Sequence, residues 1–501
     1  MRQYRFKVLF STIIALCCAI PTWAQNTTPP GVPDSVLHGI PIYDVIGTTE
    51  TVTGDNVFDE STFMGTRIVV GENGKLVFAP GATVETAVHT AGGEIHVWNG
   101  GEIVMGESSS FTGFKTNVGG NSVMVISGDY ERAYGDSEGT LTANGATINS
   151  NVDVSKFGTL NLNGATINNP NIPAKTNSYG EIEIPAYDGH IMNTGGKITA
   201  TDSTINLGGG GWTNYYDAEA KLTGGSVNGN VMNGARGTLN ATETTFTGLV
   251  SNNGAYGVDE FWESTAGSMS LVNSTVNGTL YSYYGNNDLY VNGTTVQKND
   301  GDSSGYNGNA YISNKLHVGA DGLDMSGGSV SFYNNEAYNA NSGRLTTITL
   351  TLTDSIMDTM LGNYDELLKG NSFFLSDFIT NSNFYWIDDK GASQSSLINY
   401  WNGFEFVFDL SELSQAERWE EIYAAYGIDL SDGTSFAYGI DYNFDNGSWE
   451  TGHAYDVRFF IPMTDSSGDP DDPNATPEPA TLLMFGLGLG VIPVARRFRK
   501  K

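Results

Sequence analysis

Residues 139–149 read Gly-Thr-Leu-Thr-Ala-Asn-Gly-Ala-Thr-Ile-Asn, and residues 158–168 read Gly-Thr-Leu-Asn-Leu-Asn-Gly-Ala-Thr-Ile-Asn. The two stretches are offset by 19 residues, and residues 196–206 carry a looser copy after twice that interval. Leu, Ile or Ala alternates with Thr or Asn in each copy, which is the pattern of short strands with one buried face. Gly and Asn between the strands tolerate the left-handed backbone that sharp corners need.

A unit of this size cannot bury its own apolar face, so the core must form by stacking one unit on the next. The repeat therefore predicts an all-β protein built on a right-handed parallel β-helix, or β-solenoid, over residues 63–344. A β-barrel or sandwich of antiparallel hairpins is the competing fold. The pattern resembles the passenger domains of autotransporter adhesins, although we expect no C-terminal translocating barrel here.

The segments on either side of the repeats differ from them in texture. Residues 25–62 are an entry segment, and residues 345–464 are predicted to form a small β-rich C-terminal domain that caps the last coil. Residues 345–352 have the alternation of a half-buried strand, with Thr349 and Thr351 between aliphatic residues. Residues 411–426 have helical spacing behind Ser411 as a cap, so one helix is expected there. Residues 465–476, rich in Asp, Pro and Ser, are predicted to be a flexible acidic linker.

The first 24 residues have the three parts of a secretory signal peptide. A basic start is followed by an apolar run, and Thr22 and Ala24 place small residues at the −3 and −1 positions of a cleavage site before Gln25. A membrane anchor is the alternative, but the run is short for a span and ends at Pro21. Both cysteines lie inside this segment, so the mature chain would contain no disulfide and no catalytic thiol.

The charge of the chain excludes several classes of partner. The formal net charge is −32, and without the basic residues of the signal peptide and of the last six positions it is −40. Nucleic acids and anionic membrane surfaces would repel such a protein. A solvated extracellular protein fits the composition.

The C-terminal end combines a short motif, an apolar segment and a basic cluster. Pro477-Glu478-Pro479 precedes an uncharged stretch, 480–495, which is predicted to be a transmembrane helix. The positive-inside rule keeps the terminal basic cluster in the cytoplasm and places the rest of the chain outside. That cluster consists of Arg496, Arg497, Arg499, Lys500 and Lys501.

This tail resembles the PEP-CTERM sorting signal of Gram-negative bacteria over residues 477–501. Thr476, where Val is frequent, and Pro493, late in the helix, depart from the commonest pattern. The resemblance implies recognition by an exosortase, a membrane enzyme that cleaves near the Pro-Glu-Pro motif. It also implies transient anchoring in the inner membrane and release to the cell surface or the exopolysaccharide matrix. An ordinary tail anchor is the alternative.

Few residues of the sequence are candidates for catalysis or metal binding. Residues 135–139 and 301–305 match Gly-x-Ser-x-Gly, but neither is followed by the helix that a hydrolase elbow needs. The six histidines lack zinc-ligand spacing and are interpreted as single surface residues. Residues 441–447 and 465–472 offer oxygens to calcium without a complete loop. No catalytic residue, metal or cofactor is therefore predicted.

The sequence favours a noncatalytic structural or adhesive protein of the cell surface, associated with exopolysaccharide or biofilm. The exosortase, the inner membrane before processing and exopolysaccharide are the expected partners. A carbohydrate-active β-helix enzyme, either a polysaccharide lyase or a hydrolase, is the alternative, as is a glycan-binding protein. Several aromatic residues are candidates for a sugar-binding strip or for solvent-shielding positions in loops: Trp98, Trp212, Tyr215, Tyr216, Tyr281, Tyr283 and Tyr284.

Overall fold

The computed structural model describes residues 42–57, 67–85, 93–119, 138–171, 173–176, 179, 182–184, 186, 188–253, 267–283, 287–300, 307–313, 315–333, 346–362, 372–387, 404–414, 416–424, 437–441 and 456–460. These residues divide into two compact units. The first unit contains the described residues up to Ser251 together with 267–269, and the second contains 252, 253 and those from Ser270 onward.

The first unit is built from short strands in three parallel rows. The first row contains β2 (Thr49–Val52), β5 (Lys75–Phe78), β8 (Gly101–Met105), β10 (Gly139–Asn144), β12 (Gly158–Asn163), β17 (Lys197–Thr201), β20 (Glu219–Thr223) and β23 (Thr238–Thr242). The second and third rows contain β1 (Ile42–Ile46), β3 (Asp55–Val57), β4 (Arg67–Gly71), β6 (Thr83–Glu85), β7 (Glu94–Val97), β9 (Ser110–Val118), β11 (Thr147–Ser155), β13 (Thr166–Asn168), β16 (His190–Thr194), β18 (Thr204–Asn206), β19 (Gly211–Tyr215), β21 (Ser226–Asn228), β22 (Val231–Asn233) and β24 (Thr245–Asn253).

Each strand pairs in parallel with its equivalent in the next coil, and the repeated letters of the sequence lie in register. Gly139 pairs with Gly158 and Leu141 with Leu160, as the 19-residue offset requires. Leu160 then pairs with Ile198, which pairs with Ala220. These side chains point inward and are buried, while their strand neighbours face outward. The stacked aliphatic rows form a continuous core that no single coil could bury.

One coil of the first unit contains an insertion. β14 (Lys175–Thr176) and β15 (Ile182–Ile184) pair in antiparallel fashion between β13 and β16. Because the insertion separates two strands of one coil, Leu160 pairs with Ile198 instead of with a residue 19 positions on. The doubled interval in the sequence is therefore one long coil.

The second unit continues the same design. Its strands are β25 (Ser268–Val272, shared with the first unit), β26 (Thr275–Tyr283), β27 (Asp288–Asn292), β28 (Thr294–Gln297), β29 (Ala310–Ile312), β30 (Lys315–Val318), β31 (Leu323–Asp324), β32 (Ser329–Tyr333), β33 (Thr346–Thr351), β34 (Ser372–Phe374), β35 (Ile379–Thr380), β36 (Asn383–Ile387), β37 (Phe404–Asp409), β38 (Ala437–Asp441) and β39 (Asp456–Phe460). β27, β30, β33 and β37 form one parallel row. β26, β29, β32 and β36 form another.

The end of the second unit mixes this stack with other elements. β34, β39 and β38 form a small antiparallel sheet. Phe373 stacks on Phe459 at 5.1 Å, and Phe408 of β37 meets Phe459 edge-on at 5.3 Å, so the sheet packs on the last coil through aromatic rings. Two short helices, α1 (Asp354–Gly362) and α2 (Ala416–Ala424), are the α-helices of the described part of the chain. The indole nitrogen of Trp419 in α2 donates to Asp354 of α1 at 2.6 Å.

The parallel β-solenoid predicted from the repeats is confirmed. Antiparallel strand pairs among the described residues lie in the insertion and the terminal sheet, and one isolated antiparallel bridge joins Ser155 to Gly195. Stacking extends beyond the expected limits of 63 and 344. β1 pairs with β4 before the first limit, and β33 and β37 extend the row of β30 past the second. The alternation in 345–352 is simply that of another coil strand. α2 begins at Ala416 and Ser411 lies in the preceding turn, while α1 was not predicted.

The described residues contain no helix that is both long and apolar enough to cross a membrane. The expected transmembrane helix, 480–495, lies outside the part of the chain that the structure describes.

Candidate functional site

The residues that the sequence assigned to processing lie outside the described part of the chain. These are Thr22, Ala24 and Gln25 of the signal peptide, Pro477, Glu478 and Pro479 of the motif, and Arg496, Arg497, Arg499, Lys500 and Lys501. Residues 301–305 and 465–472 also lie outside it, as do most of 135–139 and 441–447.

The described residues do contain a charged cluster on the outward face of the first unit. It lies on four neighbouring strands, β7, β9, β11 and β16, which are paired in parallel. The register places Glu94 beside Lys115, and Asn117 beside Asp153. We call this set the polar cluster; its members are Glu94, His96, Lys115, Asn117, Asp153 and His190.

Asp153 is the centre of the polar cluster. One carboxylate oxygen forms an ion pair with Lys115 Nζ, and the other lies 3.1 Å from His190 Nε2. Burial raises the pKa of the Asp153 carboxyl, but the charge of Lys115 and the hydrogen bond and charge of His190 outweigh it. The pKa therefore lies well below its usual range, and Asp153 is ionised at neutral pH.

A second pair lies at the edge of the cluster. His96 is 2% exposed, and its Nε2 lies 2.7 Å from Glu94 Oε2. The amide nitrogen of Asn117 lies 3.3 Å from His96 Nδ1. The interpretation of His96 as a surface residue is therefore wrong. An imidazole can face outward on a solenoid and still be buried when neighbouring coils supply its partners.

Carboxylate, imidazole and ammonium groups are the set that general acid–base catalysis uses. Here each carboxylate is already held by a cationic or neutral partner, so the contacts also rigidify the sheet face. Within the described residues no group of three or more His, Cys, Asp or Glu side chains is placed to hold a metal ion.

The second unit carries a weaker cluster around Tyr290. The imidazole of His317 meets the Tyr290 ring edge-on at 4.9 Å, and its Nε2 lies 2.9 Å from Thr351 Oγ1 and 3.4 Å from Asp409. Burial raises the pKa of the Tyr290 phenol, and the carboxylates of Glu412, Asp321 and Asp409 raise it further. The phenol is therefore a neutral hydrogen-bonding group rather than a nucleophile at neutral pH.

A shallow polar depression also opens on the second unit. Its volume is about 450 Å³, and it is lined by hydroxyl and amide side chains together with one glycine. The lining residues are Ser326, Gly327, Ser376, Asn381, Ser382 and Asn383. The volume is in the range of small-molecule sites, but the lining is polar, whereas small-molecule sites are lined mostly by apolar side chains.

The most regular surface is uncharged. Asn228 donates to Asn206 at 2.8 Å, Asn206 to Asn168 at 2.7 Å, and Asn168 to Asn149 at 2.8 Å, so four coils share a ladder of half-buried amides. A parallel row of hydroxyls lies two residues earlier on the same strands: Thr147, Thr166, Thr204 and Ser226. This face offers donors and acceptors at the coil spacing, without net charge.

The polar cluster is not among the residues predicted from the sequence, although the spacing of two of its members is a signal for it. His190 follows Asp153 by 37 residues, close to twice the repeat interval, and therefore lies on the adjacent coil once the insertion is recognised. Of the aromatic candidates, Trp212 is 1% exposed and belongs to the core, whereas Tyr216 is 61% exposed.

Comparison with known proteins identifies one functional segment. Residues 475–500 match the family model described as the PEP-CTERM protein-sorting motif, so the chain carries this sorting signal. The signal implies an exported protein that is transiently anchored in the membrane and processed by an exosortase. No curated protein and no solved structure matches the chain.

Proposed function

We propose that the chain is a noncatalytic structural or adhesive component of the cell surface or extracellular matrix, associated with exopolysaccharide. The PEP-CTERM motif at 475–500 carries this proposal, because it implies an exported protein that an exosortase processes. Before processing, the apolar stretch 480–495 spans the inner membrane with the basic tail inside.

The surface of the first unit supports a matrix role. The amide ladder and the parallel hydroxyl row repeat the same donors and acceptors coil after coil. Such a surface suits an extended, hydrated polymer better than a discrete substrate, which needs a pocket with convergent groups. The net charge of −32 keeps the protein itself solvated.

The proposal also includes the winding of the coils. Parallel strands joined by crossovers are almost always connected with a right-handed turn, because the twist of the strands favours it. We therefore infer a right-handed β-helix. A crystal structure with left-handed coils would contradict this part alone.

The test of the sorting role is replacement of Pro477, Glu478 and Pro479 by alanine in the natural host. We expect the variant to remain at its unprocessed size in the membrane fraction, while the wild type is shortened and leaves it. Alanine at Pro470, Asp471 and Pro473 in the preceding segment is the matched control and leaves processing unchanged. Normal maturation of the motif variant would contradict the role.

A carbohydrate-active enzyme is the second candidate, and the polar cluster favours it. Lys115, Asp153 and His190 bring a cation, an anion and an imidazole together on the sheet face. The discriminating experiment incubates the protein with the host's purified exopolysaccharide and measures new reducing ends and unsaturated uronates. Depolymerisation that is lost in His190→Gln would favour the enzyme, and an unchanged polymer length would favour the structural role.

A further inference from the structure

The corner that leads from β11, β16, β19 and β22 into β12, β17, β20 and β23 contains an unusual series of residues. Thr159, Lys197, Glu219 and Thr238 pair in succession on four neighbouring coils. The residues two positions before them are therefore equivalent and lie at this corner. These residues are Phe157, Gly195, Asp217 and Arg236. All four have a positive φ, between 58° and 79°.

Glycine adopts this backbone freely, but a bulky side chain in it is a steric outlier. Phe157 has φ of 66° and is 45% exposed, and Tyr216, next to the Asp217 position, has φ of 56° and is 61% exposed. They are the aromatic residues with positive φ in the described part of the chain. Conformational preference does not account for these two rings, because a glycine or asparagine would fit the left-handed corner better, and neither ring belongs to the buried core.

The neighbours leave the Phe157 ring open to solvent. Gly195 follows it by one coil and has no side chain that would cover the ring, while Glu138, at the equivalent position one coil earlier, is exposed. Lys156 Nζ lies 4.8 Å from the ring centroid, in the geometry of a cation–π contact. Tyr216 lies beyond Gly195, whose added Cβ would come within 3.0 Å of the Tyr216 carbonyl oxygen.

Polar groups with fixed geometry flank the two rings. Arg236 Nε donates to Asp217 Oδ1 at 2.9 Å, and its terminal nitrogen donates to Asp217 Oδ2 at 3.1 Å. Both side chains are exposed, at 43% and 71%, so the pair presents its remaining donors and acceptors to solvent. Lys156 and Arg236 balance Asp217 and Glu138, so this corner is close to neutral in a chain of net charge −32.

We propose that this corner patch, formed by Lys156, Phe157, Tyr216, Asp217 and Arg236, is a binding site for a chain of the surrounding exopolysaccharide. Sugar rings stack on Phe157 and Tyr216, and their hydroxyl or carboxylate groups bond to Asp217, Arg236 and Lys156. The inference rests on the proposed matrix function and names its contact site. Four coils at about 4.8 Å spacing extend about 14 Å along the stack, which matches a linear polymer rather than a compact ligand.

The local charge supports the same occupant. The rest of the chain repels anions, whereas Lys156 and Arg236 let an acidic polysaccharide approach here. Tyr and Arg are also the residues that most often dominate binding energy at exposed interfaces. Outlying backbone conformations that persist at exposed positions are typical of functional sites.

The test is affinity electrophoresis of the secreted chain through gels containing the exopolysaccharide purified from its own host. We expect Phe157→Gly and Tyr216→Gly each to weaken retention at least about tenfold. Because glycine relieves the backbone outlier, each variant keeps or raises the Tm, so weaker binding cannot be attributed to unfolding. Phe157→Tyr retains a ring and retains binding.

Tyr179→Ala is the matched control, since this tyrosine is 88% exposed in the insertion away from the corner, and its retention equals that of the wild type. Wild-type retention together with unchanged retention of both glycine variants would overturn the corner patch while leaving the matrix role in place. Absence of retention of the wild type itself would overturn the matrix role and the patch with it.

Discussion

The side-chain amide of Asn193 donates a hydrogen bond of 2.7 Å to the amide oxygen of Asn214 in the next coil, and both side chains are buried. Asn214 continues the series by donating to Asn233 at 2.8 Å. The same amide nitrogen of Asn214 also lies within hydrogen-bond distance of the carbonyl oxygens of Ala218 and Thr238. An uncharged amide is both donor and acceptor, so it can repeat from coil to coil and still satisfy the buried corner backbone.

We expect Asn214→Ala to lower the free energy of unfolding by about 2–4 kcal/mol, because it removes the buried hydrogen bonds that join Asn214 to Asn193, to Asn233 and to the corner carbonyls. Urea denaturation followed by circular dichroism measures the change. Asn206→Ala is the matched control on the outward ladder, where water replaces the lost bonds, and it costs about 1 kcal/mol or less. Equal losses in the two variants would contradict the role assigned to the buried ladder.

Asp153 makes the first unit sensitive to acid. Its folded pKa lies below the unfolded value of about 3.9, so its contribution to stability is complete above that value and is lost as the pH falls below it. We expect Asp153→Asn to lower the free energy of unfolding by about 2 kcal/mol at pH 7. The difference from the wild type should shrink steadily below about pH 4.

Denaturant titrations at a series of pH values test this expectation. Glu219→Gln provides the control, because its ion pair with Lys197 is more than half exposed on both sides and is worth at most about 0.5 kcal/mol. A stability difference for Asp153→Asn that stayed constant down to pH 2 would show that ionisation of this carboxylate is not the cause.

The repeat made the parallel solenoid predictable because the pairing register follows from it directly. Gly139 and Gly158 occupy the same position in two copies and are partners in the sheet. The half-buried amide ladder could also be predicted, since Asn149 and Asn168 are the last residues of two equivalent copies of the repeat. Contacts between residues that recur with the repeat period could therefore be predicted from the sequence alone.

Contacts between coils of unequal length could not be predicted from the repeat period. His190 follows Asp153 by 37 residues, and this separation indicates a contact between adjacent coils only once the insertion between β13 and β16 is recognised. The short helix α1 was missed for a different reason. Thr353 accepts from the backbone nitrogen of Ile356 as a cap, but the helix begins directly after β33, where the alternation of residues 345–352 predicts only a strand.

Two glycines of the repeat are required for different physical reasons. A Cβ on Gly158 would lie 2.2 Å from the carbonyl oxygen of Val118, whereas at Gly164, with φ of 58°, nothing lies within 4 Å. We expect Gly164→Ala to cost about 1–2 kcal/mol for the left-handed backbone. Gly158→Ala should cost more, about 3 kcal/mol or above, because backbone must shift.

Thermal unfolding of the two alanine variants ranks these costs. Gly164→Asn separates the two causes, since asparagine tolerates a left-handed conformation and should restore most of the stability that alanine loses. Gly158→Asn should restore none. The opposite ranking of the alanine variants would mean that the corner at Gly164 limits the coil more than the contact at Gly158.

The basic cluster at the C-terminal end gives a prediction about membrane topology. Replacement of all five of its residues by serine removes the charges that keep this end in the cytoplasm. The residues are Arg496, Arg497, Arg499, Lys500 and Lys501. We expect the unprocessed fraction on immunoblots of the cell envelope to rise, because the Pro-Glu-Pro motif no longer has a fixed position relative to the membrane and to the exosortase. As a control, exchanging Arg for Lys and Lys for Arg at the same five positions keeps the charge and should keep processing normal. If the serine variant were processed as completely as the wild type, the charge of this cluster would not position the motif.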